Sequence, residues 1–115
     1  MIKGKVVYLA GPITGIPDYR ALFQKAEDRA LIQFQARVVL NPAALPGGLE
    51  HAAYMRICIP MISEADCVLL LPGWRKSTGS QMEFSFAREN GKQIYEFDYF
   101  SHSPRLRPLT LGSEA

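Results

Sequence analysis

Four short apolar runs, separated by stretches of helical spacing and closed by glycine, proline or asparagine, limit what this chain can fold into. Val6 to Ala10 is apolar and β-branched and stops at Gly11-Pro12, which reads as a strand buried on both faces. Arg37 to Leu40 stops at Asn41-Pro42, Asp66 to Leu71 runs into Pro72-Gly73-Trp74, and Gln93 to Phe97 forms the fourth run. From Asp18 to about Gln35, Phe23, Ala26, Ala30 and Phe34 recur at helical spacing, with Asp18 placed as an N-cap. A second helix is predicted from Leu49 to about Ala65, kinked or split by Pro60, which removes a backbone bond. A third spans Ser80 to Asn90, with Gly91 as its stop. Strand and helix in strict alternation predict an α/β domain on a parallel sheet with right-handed crossovers. Beyond Asp98, the segment with Pro104 and Pro108 has no clear period. It is expected to be a loosely attached tail (residues 101–115) or an arm on a partner chain, outside a domain spanning residues 1–100.

Size and composition narrow the function classes. A chain of 115 residues fits one domain, and 48% hydrophobic with 21% charged residues is ordinary globular composition. The formal charge is +2 and no basic run stands out, so no nucleic-acid partner is expected. The longest apolar run, Cys67 to Pro72, is far too short for a bilayer, and the first residues lack a signal-peptide layout. The expectation is a cytoplasmic protein with no membrane partner. Cys58 and Cys67 form no CxxC pair, and His51 and His102 complete no zinc spacing, so neither metal nor other cofactor is expected.

In open α/β sheets, ligands bind beyond the carboxyl ends of the strands. Those ends carry the richest chemistry here. Trp74, Ser77, Gly79, Ser80 and Glu83 combine a flat aromatic, hydroxyls, backbone amides before a helix start, and a carboxylate. Such a set suits a sugar hydroxyl or phosphate, with Trp74 stacking on a base. An ionised, oriented glutamate is what a retaining glycosyl transfer needs as nucleophile. Ser80-Gln81-Met82-Glu83 also fits a capping box, the commoner role for such spacing. The two roles compete, because a glutamate folded back on Ser80 cannot reach a sugar. Tyr8, Gly11, Pro12 and Thr14 form a second candidate set after the first strand, where the competing role is a tight turn. The set lacks the GxGxxG dinucleotide pattern. Asn41 stands at a further strand end, Asp66 could bind a hydroxyl or cap a strand entrance, and His51 reads as a surface helix residue.

Taken in order, Tyr8-Leu9-Ala10-Gly11-Pro12-Ile13-Thr14-Gly15, Asn41-Pro42, Tyr54-Met55-Arg56, Ala65-Asp66, Leu70-Leu71-Pro72-Gly73-Trp74, Ser77, Gly79 and Glu83 resemble small phage and bacterial members of the nucleoside 2-deoxyribosyltransferase superfamily. The resemblance covers about Val6 to Phe97. It implies a flavodoxin-like three-layer sandwich with a small parallel sheet of four or five strands, and a homodimer or larger homo-oligomer. It also implies a pocket for a nucleoside or nucleoside 5′-monophosphate, whose N-glycosidic bond is broken by transfer of the sugar to a glutamate. Glu83 falls on the nucleophile position, the loop after the first strand on the sugar or base site, and Ser77 and Ser80 near the 5′-phosphate site. Where the superfamily has an aspartate on the second helix, this chain has Cys58, and Asp18 or Asp66 would have to substitute.

The leading expectation is therefore N-glycosidic cleavage or deoxyribosyl transfer, with Glu83 and Asp66 catalytic and with Trp74 and Ser77 lining one pocket with Gly11 and Glu83. The alternative is a non-catalytic nucleotide-binding module of the same fold, to which Cys58 points. A weaker resemblance connects Pro72-Gly73…Gly79-Ser80-x-x-Glu83 to the PGGxGTxxE motif of the lonely-guy phosphoribohydrolases, but the spacing between the glycines is longer here.

Overall fold

The computed structural model describes residues 1–109. Its elements run β1 (Val6–Ala10), α1 (Tyr19–Ile32), β2 (Val38–Leu40), α2 (His51–Ser63), β3 (Cys67–Leu70), α3 (Thr78–Glu89), β4 (Gln93–Asp98) and β5 (Arg105–Pro108). Short 3-10 turns, Pro42–Ala44 and Trp74–Lys76, follow β2 and β3. The sheet order is β2-β1-β3-β4-β5. The first four strands are parallel, and β5 joins β4 antiparallel. This is the doubly wound order in which the strand sequence reverses between β1 and β3.

Alternation along each strand explains why the runs read as continuously apolar. Val7 and Leu9 of β1, with Cys67 and Leu69 of β3, pack on one face with Phe23, Ala26 and Ala30 of α1. Tyr8 and Ala10, with Val68 and Leu70, pack on the other with Cys58 and Ile62 of α2 and Ala87 of α3. Three layers result, and both faces of the central strands are dry.

The predicted elements recur with shifted ends. α3 starts at Thr78 rather than Ser80, because Ser77 is its N-cap and accepts a bond from the Ser80 N–H at 3.2 Å. It ends as predicted at Gly91, which takes φ +69°. There the Lys92 N–H reaches the Ala87 carbonyl and the Gly91 N–H the Arg88 carbonyl, the Schellman arrangement. Asp18 occupies the cap position of α1 without a side-chain cap bond. α2 runs unbroken through Pro60, where the sequence predicted a kink or split. Pro60 and Arg56 are both exposed, so the carbonyl deprived of its partner faces water and not core.

The segment expected to be a tail also differs. Arg105–Pro108 pairs with β4 in the register Phe97↔Leu106, and Leu106 is buried against the α1-side core. Two arginines and two prolines flank that single core residue, which is why no apolar period announces it. The rest of the expected tail, residues 110–115, lies outside the described residues. No helix among the described residues is long and apolar enough to cross a membrane.

Candidate active site

α3 turns one narrow face inward, and the residues on it are Ser80, Glu83 and Ala87. That helical spacing carries a carboxylate into the α2–α3 side of the core, where Glu83 is only 6% exposed. Its partner comes from the sheet. Tyr8 points to the same side of β1, and its hydroxyl donates to Glu83 Oε2 at 2.5 Å. Burial raises the Glu83 pKa from 4.5 to about 7, with the Tyr8 bond pulling the other way. Burial and the facing carboxylate both push the Tyr8 phenol far up, so it keeps its proton and remains a donor. One carboxylate oxygen is thus fixed by Tyr8. The capping box does not form, since Ser77 holds the cap and Glu83 lies in the second turn.

Glu83 opens on a cavity of about 100 Å³ at the β1–β3 switch point. Its wall takes Gly11, Ile13 and Thr14 from the loop after β1, Tyr19 from α1, and Pro42 and Leu45 after β2. His51, Tyr54, Met55 and Cys58 come from α2, and Ser77, Gly79, Ser80 and Glu83 from the start of α3. Gly11 is fixed by sterics, because a Cβ there would stand 2.9 Å from Leu71 Cβ. Ser80 Oγ is buried and is the one fully buried side-chain polar atom without a hydrogen-bond partner among the described residues. A buried hydroxyl on a cavity wall with no protein partner is available to a ligand. The Cys58 thiol lies against Tyr8 and Glu83, and burial pushes it above its ordinary range, so it is neutral.

The structure thus brings Tyr8, Gly11, Thr14, Ser77, Gly79, Ser80 and Glu83 to one place. Four other candidates sit elsewhere. The Trp74 indole is buried against Phe84, with ring centroids 5.0 Å apart, and Nε1–H donates to Glu96 at 3.1 Å. It therefore faces away from the Glu83 cavity and is not placed to stack on a base there. Asp66 precedes β3, so it stands at the amino end of the sheet, where Oδ2 accepts from the Val6 N–H at 2.9 Å. It caps the strand entrance and cannot substitute for a carboxylate at Cys58. Asn41 closes its own turn, accepting from the Ala43 N–H, and donates to Glu27. Pro12 packs toward Gly73, outside the cavity wall. His51 was missed as a wall residue, although His51, Met55, Cys58 and Ile62 fall on one face of a helix by spacing alone.

A family model described as Domain of unknown function (DUF4406) matches residues 5–96. Among solved structures the chain is similar to a 2-desoxiribosyltransferase from Leishmania mexicana, with a TM-score of 0.62 and 24% sequence identity. The match covers 81% of this chain but only 63% of that one. No curated protein matches. The chain belongs to the family described as Domain of unknown function (DUF4406), and it shares its flavodoxin-like fold with that 2-desoxiribosyltransferase.

Proposed function

We propose that the protein cleaves or transfers across the N-glycosidic bond of a nucleoside or nucleoside 5′-monophosphate, with Glu83 as nucleophile. The observation that carries this reading is a buried carboxyl on a cavity wall, one oxygen held by Tyr8 and the other left for the sugar. The free Glu83 oxygen attacks C1′ and the C1′–N bond breaks, its electron pair leaving with the base. His51, on the same wall, is the group available to give the base a proton. Water, or a second base, then attacks C1′ and releases the carboxylate. Ser80 Oγ, Ser77 and the amides at the start of α3 offer donors to a 5′-phosphate.

A cavity of about 100 Å³ lies below the roughly 300–1,000 Å³ of pockets that enclose a whole small ligand. It holds the sugar, and the base protrudes unless a second copy of the chain closes the mouth. The test is base release from a panel of ribo- and 2′-deoxyribonucleosides and their 5′-monophosphates, followed by chromatography. Glu83→Gln should lower the rate by at least about a thousandfold. Undiminished turnover in that variant ends the nucleophile assignment. Saturable binding of the panel with no base released favours the second reading, a nucleotide-binding module, which rests on Cys58 standing where a carboxylate is expected.

A further inference from the structure

A larger recess of about 700 Å³ lies beyond the carboxyl ends of β3 and β4 and shares no wall residue with the Glu83 cavity. Its size is that of pockets enclosing a small molecule. The floor is apolar, from Leu71, Pro72, Trp74 and Phe97. Its rim is cationic from two separate segments, Arg75 and Lys76 on the turn after β3, and Arg105 and Arg107 on β5.

The donors on this rim already converge on one anionic centre. Glu96 accepts from Trp74 Nε1–H at 3.1 Å, from Arg75 at 3.3 Å and from Arg107. Burial alone would raise the Glu96 pKa, but the bonds from Arg107 and Trp74 and the charges of Arg107 and Arg75 outweigh it and hold it ionised. One carboxylate thus serves two guanidinium groups. Asp98 is turned to the Phe100 N–H at 3.2 Å. Lys76 and Arg105 have no anionic partner among the described residues. The rim therefore carries two positive charges more than its carboxylates match, next to an apolar floor.

We propose that this recess is a second binding site, for a small phosphorylated molecule whose phosphate lies between Lys76 and Arg105 and whose apolar body rests on Pro72 and Trp74. A dianion with several acceptor oxygens matches two unpaired cations and a guanidinium fork better than a single carboxylate does. The contacts are exposed, so binding weakens as salt rises.

The experiment is an amide and indole NMR titration of the whole protein with inorganic phosphate and, separately, with phenyl phosphate, against sodium chloride at equal ionic strength. Saturable shifts at the Trp74 indole and the amides of Lys76 and Arg105, with phenyl phosphate the tighter ligand, are expected. Replacing both Lys76 and Arg105 by alanine should weaken phenyl phosphate binding about tenfold or more, since two charge-assisted contacts go. Glu83→Gln should leave this binding unchanged, which separates it from the fate of the glycosidase reading. Shifts confined to Ser77–Ser80, shifts that chloride reproduces, or full affinity in the double variant would overturn the site. Equal affinity for the two probes would overturn the apolar floor and leave a site for free phosphate.

Discussion

Ionising Glu83 places a negative charge in a position that is 6% exposed, and the fold and the proposed chemistry pull on that charge in opposite directions. Its pKa in the fold, about 7, lies above the ordinary 4.5. A raised folded-state value means that the folded form binds more protons, so the associated stability is present below about pH 4.5 and is lost as pH climbs through 7. The loss is on the order of 3 kcal/mol. Urea midpoints measured from pH 5 to pH 8 should fall in the native protein and stay flatter in Glu83→Gln. The proposed nucleophile needs the ionised form, so base release should rise as pH climbs through about 7, with a falling limb wherever the proton donor to the base is lost. Tyr8→Phe removes the bond that lowers the Glu83 pKa and should move that rise to higher pH. Asp66→Asn, at the far end of the sheet, should leave the profile in place. An Asp66→Asn profile displaced like that of Tyr8→Phe would return Asp66 to the site.

At the scale of elements, the start of α3 does two jobs. Ser77 caps it and lines the cavity, so Ser77→Ala should cost about 0.5–2 kcal/mol in thermal or urea unfolding. It should also weaken nucleoside monophosphate binding, whereas removal of a cap alone would not. The four parallel strands were legible because their apolar runs are short, β-branched and closed by turn residues. The site was legible in part. Glu83, Ser80 and Gly11 follow from topology, since loops at the carboxyl ends of β1 and β3 must meet. Asp66 could have been set aside by the same rule, because a residue before a strand lies at the opposite end. Trp74 could not, for nothing in a glycine-flanked aromatic tells which side of a loop its ring will take. The partner that claims it, Glu96, is 22 residues away. The cap assignment failed because Ser77 and Ser80 are both serines, and only the backbone path decides which one starts the helix.

The whole molecule depends on a strand that sequence periodicity hides. A chain ending at residue 100 loses β5, leaving the β4 edge open and the Leu106 site empty. Burial of one such side chain is worth about 1.5–3 kcal/mol, so the shortened chain should melt lower and aggregate through its new edge. A melting temperature equal to that of the full chain would mark β5 as dispensable. The shallow Glu83 cavity motivates the further expectation of a homodimer, which light scattering at high concentration would register as about twice 12.8 kDa. A monomer there would mean that the mouth stays open. The chain has a single tryptophan, and Trp74 is held between Glu96 of the larger recess and Phe84, the neighbour of Glu83. Its ultraviolet emission is therefore a built-in optical gauge of the larger recess, readable without any label, and its red shift on heating reports the opening of the core beneath that recess.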